Sequence, residues 1–236
     1  MTGIFLVMAH PDDAFVWCGG LVLECIQLGA KVTIVSLSKA ADRVEDAIKE
    51  IGVANNVKYL SFDRRKISES KICKLVTEAS PEVIVTHWAD DTHDYHREAA
   101  CVTELCLKDY KLKQYDERMV PNLRVLQCDT YYSLGQNGIP FPGKTIIDIS
   151  NNYAKKMKIV KAICGKYLPL IERMVRIQNA FYGGKIGSKF AEAFLESSSL
   201  ASIGGGLGMT TAKNLLEMGQ RQRLLRRKDK EHSPHE

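Results

Sequence analysis

The chain has 236 residues, of which 45% are hydrophobic and 26% charged, a composition that excludes a disordered or fibrous protein and suits a single globular domain with a sizeable core. No segment approaches the roughly 18 consecutive apolar residues that a membrane span requires. The formal net charge is +5, but seven basic residues against two acidic ones between Lys213 and Lys230 supply all of that excess. The body of the chain is therefore balanced, and nucleic acid is not an expected partner.

Residues 4–9 form an apolar run with no basic stretch before it and the polar His10-Pro11-Asp12-Asp13 directly after it, so a signal peptide is not expected. Seven cysteines, an odd number without a CxxC pair, read as reduced thiols and favour a cytoplasmic location.

In chain order, strands are predicted at 4–9, 31–37, 57–61, 82–86 and 124–130. Helices are predicted between them at 15–28, closed by Gly29, at 43–51, closed by Gly52, and at 68–79. Segment 131–144 is rich in Gly and Pro and reads as a loop; a strand at 145–149 and helices at 152–164 and 170–180 follow. This alternation predicts an α/β fold, Rossmann-like, with a mainly parallel sheet and helices on both faces. The expected domain spans 1–200, and Gly204-Gly205-Gly206-Leu207-Gly208 marks a hinge to a basic C-terminal helix or tail over 201–236.

In open parallel sheets ligands bind beyond the carboxyl ends of the strands. Two such ends are dense in metal-ligating residues. After the first strand, His10 and Asp13 stand three residues apart around Pro11, so an imidazole and a carboxylate can converge while Asp12 points elsewhere. Nitrogen and oxygen donors together suit Zn²⁺, and an unligated carboxylate beside such an ion can take a proton from water. The competing reading is that Asp12 and Asp13 only cap the next helix. After the fourth strand, residues 87–98 hold three of the six histidines and three aspartates, Asp90, Asp91 and Asp94. Trp88, Tyr131, Tyr132 and Tyr182 could stack on a sugar ring or simply pack.

These residues resemble the LmbE-like, or PIG-L-type, family of zinc-dependent N-deacetylases. Ala9-His10-Pro11-Asp12-Asp13, then Cys18-Gly19-Gly20 and the strand Val32-Thr33-Ile34-Val35-Ser36-Leu37, look like that family's first βαβ unit. Ile51-Gly52-Val53 resembles its helix-ending Leu-Gly-Val, His93-Asp94-Tyr95-His96 its second metal segment, and Phe190-Ala191-Glu192-Ala193-Phe194 its C-terminal motif.

The resemblance implies a zinc-dependent amidohydrolase that removes an acetyl group from an N-acetylglucosamine-type unit in a small glycoside or antibiotic or thiol precursor. It makes His10, Asp13 and His96 ligands of Zn²⁺, or of another divalent ion such as Fe²⁺, Asp12 the general base and His93 the cation or donor that stabilises the oxyanion. Arg43, Asp91, Asp94 and Tyr95 are the expected substrate contacts, the substrate being a small acetamido-sugar. A homo-oligomer is a further expectation by analogy. Three departures stand out: Ala14 where the family has Glu, Tyr95 where it has the Asp that orients the catalytic histidine, and Ala40 and Arg43 where it has an Arg-x-x-Glu motif. Asp94 or Asp91 could replace the missing carboxylate beside His93. The alternative reading is a scaffold or binding protein of this fold whose catalysis these changes have impaired; a nucleotide-binding Rossmann enzyme lacks the Gly-rich turn after the first strand.

Overall fold

The computed structural model describes residues 3–39, 43–63, 67–115, 123–197 and Lys213. The chain alternates β1 (Gly3–Met8), α1 (Asp13–Gln27), β2 (Lys31–Ser36), α2 (Arg43–Glu50), β3 (Val57–Ser61), α3 (Glu69–Ala79), β4 (Val83–His87), α4 (Asp94–Tyr115) and β5 (Arg124–Cys128). Two short 3₁₀ turns, Tyr131–Ser133 and Gln136–Gly138, then lead to β6 (Thr145–Asp148), α5 (Tyr153–Ile163), α6 (Leu168–Ile186) and β7 (Ala191–Glu196).

The seven strands form one sheet in the order β3-β2-β1-β4-β5-β7-β6. Strands β1 to β5 pair in parallel, whereas β7 runs antiparallel to both β5 and β6. Residue alternation along β1 explains why both faces are covered. Ile4, Leu6 and Met8 pack into one core with the buried sides of α1, α2, α5 and α6. Phe5, Val7 and Ala9 pack into the other core with residues of α3 and α4. This is the expected doubly covered α/β sheet, with an antiparallel edge added.

Local chemistry sets the element ends. Ser68 accepts from the Lys71 N–H and starts α3, while Gly29 and Gly52 follow α1 and α2 with φ of 80° and 75°, a region glycine enters without a Cβ clash. Two elements were not foreseen. Helix α4 begins inside the histidine-rich segment, and the Phe190 to Phe194 motif turns out to contribute most of strand β7.

Strand order reverses between β1 and β4, where the following helices lie on opposite faces. Such a switch point leaves a crevice at the carboxyl ends of the two strands. Both ligand-rich segments emerge there.

Among the described residues, no helix is long and apolar enough to cross a membrane. All seven cysteines are free, and only Cys101 is exposed. The expected hinge and basic tail lie outside the described residues apart from Lys213.

Candidate metal centre at the switch point

The backbone after β1 turns sharply enough that the His10 N–H donates to Asp13 Oδ2 at 2.7 Å, with His10 Nδ1 3.1 Å from the same oxygen. Asp13 opens α1 and is almost fully buried. Burial alone would raise its carboxyl, but His96, His87 and His10 surround it and hold it well below the usual carboxylate range. Asp12 occupies the N-cap position of α1, yet its side chain makes no capping hydrogen bond. The capping reading therefore fails for Asp12, whose carboxylate lies 3.9 Å from Cys164 Sγ. Burial, then the neighbouring Asp13 charge, push Asp12 up to about 6.

The first turn of α4 delivers His96, fully buried, to the same point. Its Nδ1 lies 2.8 Å from Asp91 Oδ2. Its Nε2 is 3.5 Å from Asp13 Oδ1 and engages in no hydrogen bond at all. A buried nitrogen without a partner costs about 1–3 kcal/mol unless something outside the protein fills the gap. With Nδ1–H donated to a carboxylate, the Nε2 lone pair is free for a cation, the arrangement that orients metal-bound histidines. The ligand atoms of His10, Asp13 and His96 lie within 4.8 Å of one another. Two imidazoles and one carboxylate thus fit a divalent ion and leave room for a fourth ligand. A second group, His87, Asp91 and His96, meets the same distance limit, but there the Asp91 carboxylate is already engaged with His96 Nδ1. In the metal-free protein burial opposes the charge on His96, while Asp13 and Asp91 raise it to about 10.

His93 lies between β4 and α4, its ring 4.7 Å from His96 and 5.0 Å from His10 between centroids. Partial burial, then the His96 and His10 charges, lower its pKa. Its Nδ1 accepts from the Tyr95 N–H at 3.3 Å, so the neutral ring carries its hydrogen on Nε2.

The structure places the remaining sequence candidates as follows. Asp91 is fully buried beneath His96 and accepts from the His93 backbone N–H at 2.8 Å, so it braces the ligand loop. Asp94 is exposed and paired with Arg97. Neither carboxylate orients the His93 ring, which corrects the expectation that one of them replaces the family's aspartate. Tyr95 is half exposed, with its ring 5.9 Å from His10. Arg43 is exposed and reaches over Gly165, next to Cys164, at the Asp12 side of the crevice. Ala14 is buried in the core.

Of the aromatic candidates, Tyr131 faces the site: it stacks on His96 at 5.6 Å and meets Trp17 edge-on at 5.1 Å. Trp88 and Tyr182 are buried packing residues. Tyr132 is exposed and lines a groove of about 650 Å³ along α6. Leu170, Ile177 and Phe181 form its apolar wall, Arg173 and Lys185 are its only charged residues among the described ones, and it begins one residue from Tyr131. Sequence reading counted His87 in the histidine-rich segment but gave it no role; it is the buried last residue of β4 and lies against Asp13 and His96. Its position at a strand end beside the ligand cluster was the available signal.

A scan against protein-family models finds no match, and a search of curated proteins finds no significant relative. Solved structures do match. The 4-carboxy-2-hydroxymuconate hydratase GalB of Pseudomonas putida superposes with a TM-score of 0.67 at 16% identity, over 88% of this chain and 100% of that one. The N,N'-diacetylchitobiose deacetylase of Pyrococcus horikoshii gives 0.64 at 15% identity, over 84% and 85%. The zinc-inhibited form of teicoplanin deacetylase Orf2 gives 0.55 at 12% identity, over 84% and 99%. At these identities the likeness concerns the fold alone, the mainly parallel α/β sheet that this chain shares with the three proteins.

Proposed function

We propose that the protein is a zinc-dependent N-deacetylase that hydrolyses the acetamide of an N-acetylglucosamine-type unit. The observation that carries this reading is the buried, unpartnered Nε2 of His96, aimed at Asp13 with His10 beside it. The deacetylases of the same fold, from Pyrococcus horikoshii and the teicoplanin pathway, lend it support.

His10, Asp13 and His96 would hold a divalent ion, which would supply Lewis-acid polarisation of the amide carbonyl and acidify water. Asp12 then takes the proton of the attacking water, as its uncapped, partly buried carboxylate is free to do. The Nε2–H of His93 donates to the oxygen that gains charge in the tetrahedral intermediate, a contact of a kind that is typically worth about 3 kcal/mol of barrier. A neutral imidazole suffices for that hydrogen bond. The proton held by Asp12 passes to the departing amine, which leaves the sugar as a free amine and acetate as the second product.

The apolar groove beside Tyr131 is where a group attached to the sugar lies. Tyr132 and Ser133, directly after Tyr131, line the groove, so it lies next to the crevice. With Arg173 and Lys185 as its charges among the described residues, the groove suits an apolar group that carries an acid.

The decisive experiment incubates the zinc-loaded protein with N-acetylglucosamine and with its alkyl and carboxyalkyl glycosides and measures acetate. Acetate release, with a higher kcat/KM for the carboxyalkyl glycoside, is the expected result. Because a hydratase shares the fold, the panel also includes an unsaturated dicarboxylate. Hydration of it without acetate release would replace the deacetylase reading, and neither reaction in a zinc-loaded protein would favour the scaffold.

Metal binding is testable separately. We expect about one zinc per chain, and zinc uptake near pH 7.5 should release about one proton, because the ion displaces the one on His96. Potentiometry in weak buffer measures this, and a His96→Ala protein that keeps the metal would refute the ligand set.

A further inference from the structure

Strand β5 ends at Cys128, and the residues after it join the metal centre to the groove along α6. Tyr131 lies on His96, with centroids 5.6 Å apart and planes 17° from parallel, and meets Trp17 edge-on. Tyr132 and Ser133 line the groove. These two have φ of 57° and 53°, a region that residues with a side chain rarely enter. Consecutive left-handed residues persist only where the surroundings hold them, and single ring contacts are too weak to do so.

The hold comes from beneath the turn. Asp129 is buried; its Oδ1 accepts from the Thr130 N–H at 2.8 Å and its Oδ2 from the Ser133 hydroxyl at 2.7 Å. Gln178, buried on α6, donates from Nε2 to the Thr130 carbonyl at 2.7 Å and to Asp129 Oδ2 at 3.1 Å, and the same nitrogen is 3.0 Å from Ser133 Oγ. The orientation of this amide follows from its partners, since an oxygen in that place would face a carbonyl and a carboxylate. Tyr182, one helical turn further along α6, donates its hydroxyl to Ser133 Oγ at 3.3 Å. Both ends of the turn are thus tied to one strand end and one helix, and a buried carboxylate that loses such donors is costly.

We infer that Asp129 and Gln178 are positioning residues: they lock the 130–133 turn and thereby keep the Tyr131 ring on His96, as the wall between the crevice and the groove. They act through Tyr131 and so bear on which glycosides the site prefers. The preference rests on the deacetylase reading; the placement of Tyr131 does not.

The test uses Gln178→Met, which keeps the side-chain length and removes the amide, beside Tyr131→Ala and the double variant. Histidine ¹³C–¹H NMR of the metal-free proteins reads the ring-current shift that Tyr131 imposes on His96. We expect the His96 resonances of Gln178→Met to move toward those of Tyr131→Ala, and the double variant to match Tyr131→Ala alone. In the zinc-loaded proteins, the kcat/KM preference for the carboxyalkyl glycoside over N-acetylglucosamine should fall about 2- to 10-fold in Gln178→Met, the scale of one aromatic contact, and no further in the double variant than in Tyr131→Ala. A folded Gln178→Met protein whose His96 resonances stay in place overturns the inference, and additive losses of preference would show that Gln178 does not act through Tyr131. A wild-type protein that releases no acetate removes the deacetylase reading and the preference with it, while the NMR comparison still decides the placement of Tyr131. Should Gln178→Met fail to fold, Ser133→Ala, which takes one hydroxyl from the same cluster, is expected to shift His96 in the same direction, and unmoved resonances would overturn the inference.

Discussion

Replacing Asp12 with Asn is expected to lower turnover by roughly 10²-fold or more, the usual scale for loss of a general base, while zinc content stays at one per chain. The substitution removes a carboxylate that caps nothing and binds no metal in the proposed ligand set. Two pH signatures accompany it. Burial and the Asp13 charge put Asp12 at about 6 in the metal-free protein, and a bound cation favours the ionised form. The acid limb of kcat/KM should therefore fall at or below about 6 in wild type and vanish in the residual activity of the variant. The stability effect has the opposite sense. A carboxyl whose folded pKa is raised from 3.8 to about 6 binds its proton more tightly in the folded state, so its contribution is lost as pH rises through that window. Metal-free Asp12→Asn should consequently melt no lower than wild type at pH 7. Near-normal acetate release from the variant would mean that another group takes the proton.

Much of the fold was legible because β1 and β2 are short apolar runs and α1 and α2 end at glycines that adopt positive φ. Helix α4 was not, since its first turn is a cluster of polar ligand residues that reads as a loop. The helical signal lies further on, where Ala99, Thr103, Cys106 and Leu107 recur three and four apart and are buried. The direction of β7 was not legible either. Its pairing with β5 and β6 is set by partners more than forty residues away, which no local period encodes. At the site, the motif residues His10, Asp12, Asp13, His93 and His96 converge, but the roles of Asp91 and His87 depend on tertiary contacts. Asp91 reads in sequence as a substrate contact or a partner of the His93 ring, whereas in the structure it is buried and engaged with His96 Nδ1.

Lys156→Met is expected to destabilise the protein by about 3–5 kcal/mol, because it leaves a buried carboxylate without its partner charge. Helix α5 carries Lys155, Lys156, Lys158 and Lys161, and sequence alone does not separate them. In the structure Lys156 alone of these is fully buried, donating to Asn179 Oδ1 at 2.9 Å and to Glu192 Oε1 at 2.8 Å. The Glu192 carboxylate in turn accepts the backbone N–H groups of Gly20 and Leu21, each at 2.8 Å, from the middle of α1. Glycine is required for this approach: a Cβ at Gly20 would stand 2.4 Å from Ile149, and one at Gly19 would stand 3.0 Å from the Lys156 stem. The Cys18-Gly19-Gly20 and Phe190 to Phe194 motifs, distant in sequence, are therefore two sides of one anchor for the helix that bears Asp13 at its start. Loss of 3–5 kcal/mol in a domain of this size should lower Tm by roughly 6–20 °C, and zinc affinity should weaken as α1 loses its seat. Methionine keeps most of the side-chain volume, so a cavity cannot account for the effect. The double variant Lys156→Met with Glu192→Gln removes both charges and should melt well above the sum of the two single losses. Additive losses, or a Lys156→Met protein that melts within about 2 °C of wild type, would show that the ion pair does not hold α1 in place.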